Sequence, residues 1–137
     1  NDIYGLEIRT VTEIIGVQAI TDMPQIPHYI KGIINLRGKI IPVVDVRLRF
    51  GKEPVEYDDR TCIIVLERNA LVAGIIVDTV LEVQNIPDDN ISEPPTGRGG
   101  ITNQYVSGIA RTEAGVRLLL DCDRLLGEEI VMNFGDE

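Results

Sequence analysis

Apolar residues along the chain fall into short dense runs broken by charged or glycine-containing turns. The runs at 33–36 and 39–46 surround Arg37-Gly38, and those at 61–67 and 71–77 surround Arg68-Asn69-Ala70. Runs of this length around a two- or three-residue polar break predict tight β-hairpins. Pro42 falls inside its run and cannot donate to a ladder, so it is expected on a sheet edge or at a bulge. After Asp45 and Asp121 the spacing loosens to that of a helix. With Asp121 or Asp123 as its cap, a C-terminal helix over about 121–134 would carry Leu126, Ile130 and Phe134 on one face.

The pattern repeats. Tyr29-Ile30-Lys31-Gly32-Ile33 is matched 76 residues later by Tyr105-Val106-Ser107-Gly108-Ile109. The same offset carries Val43-Val44-Asp45 onto Leu119-Leu120-Asp121, and Phe50-Gly51 onto Leu126-Gly127. Upstream, the stretch beginning Gly5-Leu6 and ending Thr12-Glu13-Ile14 matches the one beginning Gly74-Ile75 and ending Leu81-Glu82-Val83 at an offset of 69. The second copy therefore carries an insertion, placed in the proline- and glycine-rich stretch 87–103. Units this small are marginal alone, so the two copies should share a core. The expected fold is mainly β: two small barrels packed side by side, lobe one over about 1–56 and lobe two over about 60–127, with short helices. The run at 61–67 has no counterpart in the first copy, because at an offset of 69 its turn falls on Asn1-Asp2. A strand preceding the first copy is the expectation that follows.

Composition narrows the function. Thirteen basic and twenty-two acidic residues give a net charge of −9, which argues against a phosphate-binding surface for nucleic acid or anionic membrane. No apolar run approaches the ~20 residues that span a bilayer. Cys62 and Cys122 each sit within an apolar run, the setting of buried thiols in a reducing compartment, with a disulfide as the alternative. Candidate chemistry is sparse. His28 is the sole histidine, and neither cysteine lies where a thiolate would be activated. One histidine and two distant cysteines do not make a zinc site. Gly32 and Gly38 are too widely spaced for a phosphate loop, and Ile40 stands where Ser or Thr is required. Residues 97–100 read as a flexible loop, and the pairs Asp58-Asp59 and Asp88-Asp89 read as solvated turns. No catalytic residue, metal or cofactor is assigned, and the expected role is protein binding.

The copies differ most at Asn35-Leu36-Arg37-Gly38, which becomes Arg111-Thr112-Glu113-Ala114. Glu13 recurs as Glu82, but only the first copy offers an arginine to pair with it. A surface ion pair contributes too little stability to explain that arginine, which marks Glu13 and Arg37 as a candidate binding surface.

These residues resemble the CheW-like domain of bacterial chemotaxis. The resemblance is carried by Tyr4-Gly5-Leu6-Glu7-Ile8, by Val11-Thr12-Glu13-Ile14-Ile15 and, most specifically, by Gly32-Ile33-Ile34-Asn35-Leu36-Arg37-Gly38. The second half adds Gly74-Ile75-Ile76-Val77-Asp78 and Leu119-Leu120-Asp121. It implies two SH3-like five-stranded barrels, beginning with a strand that this chain lacks. It also implies a cytoplasmic adaptor, recruited to membrane receptor arrays, that couples methyl-accepting chemotaxis receptors to the histidine kinase CheA. By matching position, Val11, Glu13, Gly32, Asn35 and Arg37 would line the receptor surface, with Gly32 letting a receptor helix approach closely. The kinase regulatory domain would meet lobe two, at residues left unnamed. Two alternatives stay open: a CheW-like part of a longer chemotaxis protein (CheV-type, or the kinase itself), and a small hydrolase using His28 or the acidic pairs. The acidic C-terminal residues fit the end of a stand-alone adaptor better.

Overall fold

The computed structural model describes residues 3–68, 70–94 and 102–134. Its strands are β1 (Tyr4–Gly5), β2 (Val11–Gly16), β3 (Ile30–Leu36), β4 (Lys39–Asp45), β5 (Cys62–Arg68), β6 (Leu71–Val77), β7 (Ile91–Ser92), β8 (Val106–Thr112) and β9 (Gly115–Leu120). Helix α1 (Val46–Arg49) follows β4, and α2 (Cys122–Phe134) follows β9. The hairpins expected around Arg37-Gly38 and before Leu71 are β3–β4 and β5–β6; Asn69 itself lies outside the described residues.

The strands form two sheets, β2-β5-β6-β4-β3 and β1-β9-β8-β7. The lobes are therefore not the contiguous halves 1–56 and 60–127. Hairpin β5–β6 opens the second copy but belongs to the first sheet, while β1 opens the first copy and joins the second. The registers match under the repeat offsets: β6 runs parallel to β4 with Gly74 opposite Val43, and β1 runs parallel to β9 with Gly5 opposite Leu119. The first copy lends β1 to the second sheet, and the second copy lends the hairpin β5–β6 to the first. The reason is geometric, because a parallel neighbour needs a crossover, and the long path from β4 to β6 or from β1 to β9 supplies one.

The second sheet has four strands among the described residues rather than the five expected. The segment at 80–85, counterpart of β2, joins no strand ladder among the described residues, and Leu81 and Val83 stand 65% and 74% exposed. In the first sheet β2 is held by β5; no described strand occupies the corresponding place beside β1.

Pro42 is not on an edge strand. It lies in β4 opposite Ile33, one residue before the parallel ladder to β6 begins at Val43. There β4 has only β3 as a neighbour, so the missing N–H disturbs no second ladder.

Two apolar clusters hold the molecule together. One fills the first barrel with Ile34, Ile41, Val43, Ile63, Val65 and Ile76. The larger lies between the lobes and joins Ile30, Val44, Ile64, Leu66 and Ile75 to Tyr105, Leu120, Leu125, Leu126 and Ile130. Burying each such aliphatic side chain contributes about 1.5–3 kcal/mol before entropy, so the shared core ties the copies into one unit. Helix α2 supplies part of it, but not as one straight helix. Gly127, at φ 85° and ψ 168°, breaks it in two, as its counterpart Gly51, at φ 77°, ends α1. Leu126 and Ile130 are buried on either side of the break; the side chain of Phe134 lies outside the described set.

A carboxylate caps the helix at each junction. Asp45 Oδ1 accepts from the N–H groups of Arg47 (2.9 Å) and Leu48 (3.3 Å). Asp121 Oδ1 accepts from Asp123 (3.0 Å) and Arg124 (3.2 Å), which makes Asp121 the cap. Backbone bonds from Asp45 N to Tyr29 O and from Asp121 N to Tyr105 O complete matched corners.

Candidate functional site: the β3–β4 tip

Asn35, Leu36, Arg37 and Gly38 form the tip of the first long hairpin. Leu36 pairs with Lys39, so Arg37 and Gly38 are the two turn residues, with φ of 53° and 87°. Positive φ at both central positions is the type I′ arrangement, whose twist suits a hairpin and which favours Asn-Gly. Arginine here bears a backbone cost that its neighbours help to meet: Asn35 Oδ1 accepts the Gly38 N–H at 2.8 Å.

The Arg37 guanidinium forms a two-pronged ion pair with the Glu13 carboxylate, which projects from β2. The hydrogen bond to Glu13, then its charge, raise the arginine pKa above its ordinary value. Below the pair lies a depression of about 340 Å³. Leu36, Ile41, Val65 and Val72 give it apolar walls, and Glu13, Arg37, Lys39 and Glu67 line it with charge. Thr12 stands beside Glu13, its hydroxyl donating to Val65 O at 3.2 Å. Sequence reading missed Thr12, Lys39, Glu67 and Val72. Glu67 and Val72 reach the site only because β5–β6 crosses into the first sheet, which no local pattern announces.

Of the five residues expected at this surface, the structure brings Glu13, Asn35 and Arg37 together. Gly32 is buried, and a Cβ built on it would lie 2.1 Å from Thr21 O. Thr21 and Ile33 exchange backbone hydrogen bonds of 2.9 Å there. The close approach that Gly32 permits here is to the backbone of its own chain at Thr21. Val11 is half-buried and packs on the inter-lobe core, outside the depression.

The other candidates lie apart. His28 stands edge-on to Tyr29 at 6.3 Å. Burial raises the Cys122 thiol pKa, partly offset by Thr10, and both cysteines are free thiols. Asp58 is held below the usual carboxylate range by the Arg60 N–H, with Thr61 adding to the effect, in a local turn. Among the described residues no His, Cys, Asp or Glu cluster is placed to hold a metal, and no helix is long and apolar enough to cross a membrane.

The geometry presents two sheets that exchange strands, with a charged hairpin tip over an open depression of mixed apolar and charged lining. Comparison with known proteins gives the family. The CheW-like domain matches residues 1–129. The chain is 35% identical to the chemotaxis protein CheW of Klebsiella aerogenes over 129 residues, covering 94% of this chain and 78% of that protein. It is 30% identical to chemotaxis protein CheW of Bacillus subtilis, covering 92% and 81%. The crystal structure of the scaffolding protein TtCheW from Thermoanaerobacter tengcongensis superposes with a TM-score of 0.86 at 38% identity, covering 95% of this chain and 90% of that one. The chain belongs to the CheW-like family.

Proposed function

We propose that this protein is a cytoplasmic, non-enzymatic chemotaxis adaptor that couples methyl-accepting receptors to the histidine kinase CheA. The observation that carries the reading is Arg37, set in left-handed backbone at a hairpin tip and paired with Glu13 above an apolar depression. Strained backbone at an exposed tip points to a role beyond folding. A receptor tip is a helical hairpin. Its apolar side chains would enter the depression between Leu36, Val65 and Val72, while Arg37 and Lys39 meet its polar side. Glu13 holds the guanidinium fork in place before binding, which lowers the ordering cost. Asn35 acts one step back by shaping the turn. The kinase regulatory domain takes the second lobe, whose tip lacks this arginine.

Titration of a receptor cytoplasmic-tip fragment with wild type and Arg37→Ala tests the assignment. A tenfold or greater loss of affinity with an unchanged circular dichroism spectrum is expected. Equal affinity would remove Arg37 from the surface.

A further inference from the structure

Arg49, the last residue of α1, is half-buried at the seam between the lobes. Its guanidinium lies 3.9 Å from the centre of the Tyr29 ring and 5.0 Å from that of Tyr105, the matched tyrosines of the two copies. Its Nε donates to Leu125 O at 2.9 Å and its Nη2 to Arg124 O at 3.0 Å. Those carbonyls precede the break at Gly127, where the last turn of a helix leaves acceptors without intrahelical donors. Among the described residues Arg49 forms no ion pair with a carboxylate. Among the described residues both of its hydrogen bonds cross the seam.

The remaining contacts there are mostly of another kind. Phe50 stacks on Tyr105 at 5.5 Å and meets Tyr4 at 5.3 Å, and the shared core is aliphatic and aromatic. Apolar burial is non-directional, so beyond the exchanged strands Arg49 adds directional bonds to a seam that is otherwise largely apolar. The Arg68–Asp123 pair also reaches α2, but it is exposed. The repeat sharpens the point: the counterpart of Arg49 is Leu125, so the residue that clamps in one copy is the residue being clamped in the other.

We propose that Arg49 is a positioning residue that sets the angle between the two lobes, and through it the separation of the two partner surfaces. The second half of the statement rests on the adaptor reading above; the first does not. An adaptor that holds a receptor on one lobe and a kinase on the other transmits a geometry, so a loosened angle would spare each binding step and weaken the joint assembly.

The test uses the full chain in two variants, Arg49→Gln and Arg49→Lys, the second keeping the charge but losing the planar fork. Amide residual dipolar couplings from the two sheets should fit a single alignment tensor in the wild type. In either folded variant they should require two different tensors, or one with a changed inter-sheet angle. Affinities for a receptor-tip fragment and for the kinase regulatory domain, measured separately, should stay within twofold, while receptor-stimulated kinase activity falls at least fivefold. Wild-type couplings in both variants would overturn the proposal. So would a fall in both separate affinities alongside the melting temperature, which is what loss of stability alone produces. If wild type binds neither partner, the adaptor reading fails, and the couplings still decide whether Arg49 sets the angle. If Arg49→Gln does not fold, Arg49→Lys carries the same comparison.

Discussion

The β3–β4 and β8–β9 hairpins occupy matching places in the two copies, yet their tips are built differently. In the first, the left-handed residues are Arg37 and Gly38, and Glu13 reaches the arginine from β2. In the second, Glu113 and Ala114 turn without positive φ, and the unusual backbone moves to Gly115, at φ 129°. Glu82, the counterpart of Glu13, lies in a segment that joins no strand ladder among the described residues and accepts from Gln84 Nε2 at 2.9 Å. Matching strands with differing tips separate what the barrel requires from what has been added to one copy. The added part is a fixed, exposed arginine.

The largest test of the comparison concerns the shared scaffold. Gly32 and Gly108 are equivalent, but a Cβ would meet backbone oxygen at 2.1 Å in the first and 3.3 Å in the second. Gly32 also has φ of 151°. Thermal melts should show Gly32→Ala losing about 3 kcal/mol or more and Gly108→Ala about 1 kcal/mol. Equal losses would mean the copies are packed more alike than the geometry indicates.

The next contrast sets stability against binding at the tip. Arg37→Asn places the residue favoured for type I′ turns beside Gly38. Melting should rise by about 1–3 °C while affinity for a receptor-tip fragment falls at least tenfold. A variant that gained no stability would show that the turn bears no cost for its arginine.

A third asymmetry is the Tyr57 latch, which exists only in the first copy. Tyr57 donates to Asp45 Oδ2 at 2.7 Å. Burial first, and then Asp45, raise the phenol pKa in the folded protein. The unfolded chain releases that proton near pH 10. The contribution is therefore fully present below about pH 10 and is lost as pH rises from there towards the folded value. Tyr57→Phe should be about 1–2 kcal/mol less stable at pH 7 and should lose less stability than wild type between pH 10 and 11.5.

The smallest effect is expected at Asp123, where the Arg68 hydrogen bond lowers the carboxyl pKa. A lowered pKa contributes above the ordinary carboxylate range and is lost as pH falls through the folded value. Because the pair is exposed, Asp123→Asn should melt only about 1–2 °C lower at pH 7. The two proteins should converge below about pH 3.9.

The duplication, the hairpins and the Asp45 and Asp121 caps were legible because each is a local pattern repeated at a fixed offset. The exchange of strands was not, since periodicity says that Leu71–Val77 is a strand but not which sheet receives it. Gly32 has two readings in the sequence for a related reason. A glycine required for close approach looks the same whether the approaching backbone is a partner's or that of Thr21. The break at Gly127 could have been found, because its repeat partner Gly51 falls just after the short helical stretch that follows Asp45. Arg37 and Glu13 stood out because only one copy carries both.

The crossing of β1 and β6 has a consequence for how the chain can be divided. The connection at 51–60 looks like a place to separate the copies, yet a cut there would give two pieces that each carry a strand belonging to the other's sheet. Neither piece is a module that could be expressed, recombined or replaced alone. The halves are obligate partners, and mixed together they should find each other as two subunits of one fold.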